Sequence, residues 1–138
     1  MSIKNPPPLS KPLSQKDAQL KNPLALAFMG DTVWDLLVRS RLLHSQLRVN
    51  HLHRQAIAQV NAGAQAQAAA RVLPHLTPEE HAILRRGQNA HARHAVPKNQ
   101  DPVAYSEATG LEALLGYLYL SGQWLRILEL FDIAVPMP

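Results

Sequence analysis

The sequence predicts an all-α protein of about six or seven helices. In several long stretches, apolar residues recur at the i, i+3, i+4 and i+7 positions that share one face of a helix. No run alternates apolar and polar residues convincingly enough to predict a strand. The 138 residues, of which 46% are hydrophobic, suit one domain with a sizeable core and leave no room for a second.

The chain begins with a segment that is too polar and too rich in proline to order itself. Residues 1–17 contain four prolines among serine, lysine and asparagine, so we expect a flexible leader. The domain is expected to span residues 18–133, and residues 134–138 form a short tail.

A long helix is predicted over residues 24–43. Asn22 can cap it, and Pro23 suits the first helical position because the missing N–H would have no partner there. The run holds a carboxylate, Asp31, beside Gly30, whose lack of a side chain would let another segment approach. A carboxylate in such surroundings needs a cation, hydrogen bonds or water in a cleft, although a solvent-facing Asp on a surface helix also fits.

Three further helices are predicted between this run and the C-terminus, apart from the one that carries Glu112. Asn50 can cap an alanine- and glutamine-rich helix over residues 51–67, and Thr77 with Pro78 marks the start of another. The last helix is expected over residues 123–133. Its buried stripe is expected to consist of four large apolar residues: Trp124, Leu125, Leu128 and Phe131.

A second apolar helical run, over residues 109–120, again carries one acid, Glu112. Two core helices with one acid each suggest a shared site. Carboxylates brought together raise one another's pKa unless a divalent cation lies between them, and Mg²⁺ prefers one or two carboxylates plus several waters. The two acids therefore predict metal-assisted phosphoryl chemistry.

Residues 84–99 hold a cluster of basic side chains in a stretch that Gly87 and Pro97 interrupt. The cluster consists of Arg85, Arg86, Arg93 and Lys98, with His91 and His94 between them. Such a loop can lay cations along a phosphate backbone. On charge alone, an ordinary solvated loop is an equally good interpretation.

Composition argues against several classes of function. The absence of cysteine excludes disulfides and cysteine-based zinc sites and fits the cytoplasm. No signal-type segment and no apolar run of about 18 residues occurs, so we expect no membrane association. The seven histidines lack zinc-protease spacing, and no serine lies in a nucleophile elbow. A net charge of +4 favours polyanionic partners.

Three segments, in their order along the chain, resemble the ribonuclease III catalytic domain and, within that family, Mini-ribonuclease III. They are LALAFMGDTVWDLLVRSRLL at residues 24–43, LRRGQNAHARHAVPKN at residues 84–99 and YSEATGLEALLGYLYL at residues 105–120. The larger members of the family carry a Glu at the position of Ala27 and an Asp at the position of Thr109. This sequence has neither acid, which is similar to the Mini-III pattern.

The resemblance implies a Mg²⁺-dependent endoribonuclease that acts on double-stranded RNA, with Asp31 and Glu112 as catalytic residues and metal ligands. It also implies a homodimer with one site per subunit and a role in trimming the ribosomal RNA (23S) precursor. The loop side chains that it assigns to RNA binding are Arg85, Arg86, Asn89, Arg93, Lys98 and Asn99.

Two alternatives without catalysis stand beside this interpretation. One is an RNA-binding or ribosome-assembly protein on the same helical fold, and the other is a helical protein-interaction module. Both leave the acids Asp31 and Glu112 without a purpose in an apolar setting. Cleavage of double-stranded RNA with and without Mg²⁺ would separate the enzyme from both.

Overall fold

The computed structural model describes residues 4–6, 9–90 and 98–136, which form seven α-helices and no strand. The helices are α1 (Gln15–Gln19), α2 (Pro23–Leu43), α3 (Val49–Gln59), α4 (Ala62–Val72), α5 (Pro78–Ala90), α6 (Pro102–Leu120) and α7 (Trp124–Ala134). A short 3-10 turn, Leu73–His75, follows α4. The predicted all-α fold is confirmed. None of these helices combines the length and apolarity that crossing a bilayer requires.

Two helix starts have the caps that the sequence predicts. The side chain of Asn22 accepts a 2.8 Å hydrogen bond from the backbone N–H of Leu24, and Pro23 is the first residue of α2. At α5, the Thr77 hydroxyl accepts from the Glu80 N–H while the Glu80 carboxylate accepts from the Thr77 N–H. This reciprocal pair is a capping box and satisfies two otherwise orphaned donors.

The helix predicted over residues 51–67 is in fact two helices, α3 and α4, which meet at Asn61. The Asn61 amide donates to the carbonyls of Ile57 and Ala58 at 3.0 and 2.9 Å, near the end of α3. Its oxygen accepts a 2.9 Å bond from the Ala64 N–H at the start of α4. One side chain therefore satisfies backbone groups of both helices, which helix propensity alone does not reveal. The first of them also begins before the predicted cap, at Val49.

Helix α6 is the central element, and α2, α4, α5 and α7 pack around it. A Cβ atom added to Gly30 of α2 would lie 1.7 Å from the carbonyl oxygen of Glu112, and one added to Gly116 of α6 would lie 1.9 Å from that of Leu26. These two positions admit only hydrogen, so the α2 and α6 backbones are in direct contact. This close approach sets the relative position of the two acid-bearing helices.

Helix α7 closes the other side of the core and is fixed to α5 by an ion pair. Arg126 Nε and Nη2 donate to the two carboxylate oxygens of buried Glu80, each at 2.8 Å. Of the predicted stripe of α7, only Phe131 is buried: Leu128 is exposed, and Trp124 and Leu125 are partly exposed. The buried residues of this helix are Ile127, Leu130, Phe131 and Ala134.

Part of the leader expected over residues 1–17 lies against the domain. Ser14 caps α1, and Ala18 of that helix is fully buried in the core. The Leu13 N–H also donates a 2.8 Å hydrogen bond to the carbonyl of Leu120 at the end of α6. The ordered helical structure therefore begins before residue 18.

Candidate active site

A pocket of about 510 Å³ opens between α2, α4 and the first half of α6, and both Asp31 and Glu112 line it. Its walls combine apolar and amide-bearing side chains. The remaining lining residues are Leu24, Ala27, Phe28, Val60, Asn61, Ala62, Gln65, Gln100, Tyr105, Ala108 and Thr109. The shared location that the sequence suggests for the two acids is therefore present in the fold.

The acids are brought together by the contact between their helices. Gly30 touches the backbone of Glu112, so the neighbouring Asp31 side chain is carried to the Glu112 side chain. Asp31 is exposed at the mouth of the pocket, whereas Glu112 is largely buried. Their carboxyl groups lie close enough for Asp31 to influence the ionisation of Glu112.

This arrangement makes a charged Glu112 unfavourable in the absence of a cation. Burial, followed by the hydrogen bond and the like charge of Asp31, raises the pKa of Glu112 to about 8, while the Gln65 amide acts in the opposite direction. A carboxyl with that pKa carries a proton at neutral pH. The pocket thus holds two acids that a divalent cation would stabilise together in their ionised forms.

The donor set fits Mg²⁺. That ion is hard, prefers oxygen ligands and usually keeps several waters while binding one or two carboxylates. Asp31 and Glu112 supply two carboxylates, and the pocket has space for coordinated water. No group of three or more histidines, cysteines or acids that could hold a metal occurs in the described part of the chain.

The other nearby acid on α2 has a different environment. Asp35 pairs with Arg39 one turn further along the helix at 2.7 Å, and it is not among the residues that line the pocket. This surface pair satisfies Asp35 without a metal. Asp35 is therefore a natural control for Asp31.

The basic side chains that the sequence assigns to RNA have different surroundings. The predicted loop over residues 84–99 was wrong in its first part, because α5 continues through Gly87 to Ala90. Arg85 and Asn89 are therefore exposed on a helix, whereas Lys98 and Asn99 are exposed in the turn that precedes α6. Because Gln100 lines the pocket, that turn lies at its rim. Arg93 lies outside the described residues.

Arg86 has a structural contact that its charge does not predict. Its guanidinium donates to the backbone carbonyl of Gln19 and, at 3.2 Å, to that of Lys21. These bonds fasten the end of α1 and the following turn to α5. Any contact that Arg86 makes with RNA therefore adds to this structural role.

Sequence reasoning did not single out the amide side chains of the pocket, Asn61, Gln65 and Gln100. Asn61 and Gln65 are four residues apart, the spacing that places two side chains on one face of a helix. Two amides one turn apart in an alanine-rich run were the available signal. Ala27 and Thr109, the positions that bear acids in larger ribonuclease III enzymes, also line the pocket.

Comparison with known proteins identifies the family. Residues 24–123 match the Ribonuclease III domain family model. A Mini-ribonuclease 3 of Symbiobacterium thermophilum is 47% identical over 113 residues, which cover 81% of this chain and 86% of that protein. The chain belongs to the Mini-ribonuclease III group of the ribonuclease III family. The prediction of an enzyme of the endoribonuclease class is confirmed by this membership.

A second Mini-III relative agrees with the assignment, and a solved structure shares the fold. A Mini-ribonuclease 3 of Brevibacillus brevis is 43% identical over 120 residues, covering 86% of this chain and 89% of that protein. The fold also matches a crystal structure of a Fusobacterium nucleatum protein with a TM-score of 0.76 and 30% identity, covering 85% of this chain and 93% of the other. The matched span includes α2 and α6, which carry the two acids.

Proposed function

We propose that this Mini-III member is a Mg²⁺-dependent endoribonuclease that cleaves double-stranded RNA, with Asp31 and Glu112 as its catalytic residues and metal ligands. The observation that carries the proposal is the pairing of these two carboxyl groups in one pocket of a ribonuclease III fold. Two acids in contact repel each other when both are ionised, unless a cation lies between them. Such a pair therefore has a reason to exist in a metal-dependent enzyme that it lacks in a purely structural protein.

The two proposed metal ligands lie at different depths in the pocket. Asp31 is exposed at the mouth of the pocket, where a substrate would approach, whereas the largely buried Glu112 lies at the α2–α6 contact. When bound, Mg²⁺ supplies an activated water for attack on phosphorus and neutralises negative charge on the phosphate oxygens. The protein's contribution is a fixed pair of carboxylates, because preorganised groups lose little free energy to reorganisation during the reaction.

Double-stranded RNA suits the exposed polar and basic side chains of this region. Lys98 and Asn99 are exposed in the turn at the pocket rim, and Arg85 is exposed on α5, so all three are free to contact phosphate oxygens. An A-form duplex has a deep, narrow major groove that side chains cannot read, so recognition rests on shape, phosphates and 2′-hydroxyls. We therefore expect limited sequence preference and binding that weakens with salt.

We further propose that the protein acts as a homodimer with one site per subunit. Helix α2 exposes large apolar side chains on one face: Phe28 is 82% exposed and Leu36 is 54% exposed, and Leu43 continues this face. An exposed apolar face of this kind is typical of an interaction surface, and two copies of it can bury each other across a two-fold axis. Phe28 also lines the pocket, so the interface would adjoin the site.

The proposed setting is the cytoplasm, and the proposed natural substrate is the ribosomal RNA (23S) precursor, as the resemblance to Mini-III implies. The purified protein tests the activity when it is incubated with long double-stranded RNA, single-stranded RNA or double-stranded DNA, each with Mg²⁺ or with EDTA. Shortening of double-stranded RNA with Mg²⁺ alone supports the proposal. Binding of that RNA without cleavage at any Mg²⁺ concentration would instead identify a non-catalytic RNA-binding protein.

A further inference from the structure

Gln65 of α4 is a buried polar residue that the proposed chemistry does not yet use. Its side chain lines the pocket, and the residue is only 5% exposed. The amide approaches the Glu112 carboxyl, but Nε2 completes no hydrogen bond of normal geometry with any residue in the described ranges. It is the one buried side-chain nitrogen or oxygen in those ranges that has no partner.

An unpaired buried amide destabilises the folded state. The other buried positions of α4 show that an apolar side chain is accommodated on this face of the helix. The buried neighbours of Gln65 on this helix are Ala66, Ala68, Ala69 and Val72, all of them apolar. An apolar residue at position 65 would continue this pattern and leave no orphaned donor. The free-energy cost of burying this amide is therefore compensated only in a state of the protein in which Nε2 donates a hydrogen bond to an acceptor.

The Glu112 carboxylate, which the Gln65 amide already approaches, can supply such an acceptor. We infer that Gln65 is a positioning residue for Glu112: Nε2 donates to one carboxylate oxygen and leaves the other oxygen directed toward Asp31 and the pocket. Because hydrogen bonds from surrounding residues orient metal ligands, their loss typically lowers metal affinity or activity by 10- to 100-fold. This inference rests on the proposed function, since it assigns Glu112 as a ligand.

The test measures Mn²⁺ binding to the full chain without RNA, by electron paramagnetic resonance of the free ion. The variant is Gln65→Met, which keeps the length of the side chain but removes the donor. The matched control is Gln67→Met, two residues along α4, where the side chain is exposed and does not line the pocket. We expect Gln65→Met to bind Mn²⁺ about 10-fold more weakly and the control to bind like the wild type.

Two further readouts separate positioning from a merely structural role. The melting temperature of Gln65→Met in EDTA should equal or exceed that of the wild type, because the unpaired amide is gone. In cleavage assays, the Mg²⁺ concentration for half-maximal rate should rise about 10-fold while the KM for RNA stays unchanged. Wild-type Mn²⁺ affinity in a folded Gln65→Met protein would overturn the inference.

If Gln65→Met does not fold, Gln65→Asn decides, because it keeps an amide that is one methylene too short to reach Glu112. Weaker Mn²⁺ binding by that variant supports positioning, and wild-type binding overturns it. Asp31→Asn and Glu112→Gln, measured beside these variants, test the proposed function. If they bind Mn²⁺ like the wild type, the metal site itself is misassigned and the inference falls with it, whereas failure at Gln65 alone leaves the proposed function intact.

Discussion

Replacing Gly30 with alanine should damage both stability and activity, because this residue fixes the distance between the helices that carry the acids. The new Cβ would lie 1.7 Å from the Glu112 carbonyl oxygen, so an ordinary contact of 3.4 Å requires α2 and α6 to separate by about 1.7 Å (3.4 − 1.7). Overpacking against backbone costs up to about 3 kcal/mol of unfolding free energy. A displacement of about 1 Å at a catalytic group can reduce the rate about 100-fold.

The measurement is urea unfolding followed by circular dichroism, together with the cleavage rate of double-stranded RNA for the folded variant. Gly63→Ala is the matched control, because a Cβ there meets only the Asn61 side-chain oxygen at 3.4 Å. Since glycine is a poor helix former, this control should be neutral or stabilised by about 0.5 kcal/mol. A Gly30→Ala protein with wild-type stability and rate would refute the claim that this contact sets the geometry of the site.

Three other predictions follow from the structure. Without metal, the pKa of Glu112 is near 8 in the folded state and near 4.5 in the unfolded state. The folded state therefore binds the proton more tightly, and the melting temperature should decrease as the pH is raised from about 4.5 to about 8. Glu112→Gln should remove this dependence of the melting temperature on pH. Arg85→Glu should weaken RNA binding and flatten its salt dependence without lowering the melting temperature, whereas Arg86→Glu should also lower that temperature by freeing the Gln19 carbonyl. If both variants bind RNA as the wild type does, these arginines do not contact RNA. Light scattering at micromolar concentration should give twice the mass of the 15.3 kDa chain, and a monomer mass would contradict the α2 interface.

Much of the fold could be predicted from the sequence because its signals are local. Apolar periodicity located α2 and the second part of α6, but it missed the first turns of α6, which begins at Pro102 rather than at residue 109. Asn22 and Thr77 marked helix starts with their own side chains. The break at Asn61 could not be predicted in the same way. Its amide bonds to one helix and its oxygen to the next, and an alanine-rich run continues through that point without a change in propensity.

In the candidate site, too, residues with a local sequence signal could be predicted, and residues whose role depends on tertiary packing could not. An acid in an apolar helix is visible in the sequence, so Asp31 and Glu112 could be selected. Gln65 could not, because an amide on a helix is common on surfaces and its burial depends on how closely α4 packs on α6. The contacts of Arg86 with backbone carbonyls of a distant segment are likewise a product of tertiary structure.

The most direct test of the account is the single-turnover cleavage rate of double-stranded RNA by Asp31→Asn and Glu112→Gln, with Asp35→Asn as the control. Both substitutions keep the shape of the side chain and remove the charge that a hard cation requires. Losing several kcal/mol of transition-state stabilisation corresponds to a rate loss of about 1000-fold, whereas Asp35, paired with Arg39, should tolerate the change with substantial activity. Double-stranded RNA binding by both acid variants should persist. Near wild-type cleavage by either of them in limiting Mg²⁺ would contradict the assignment of the catalytic pair.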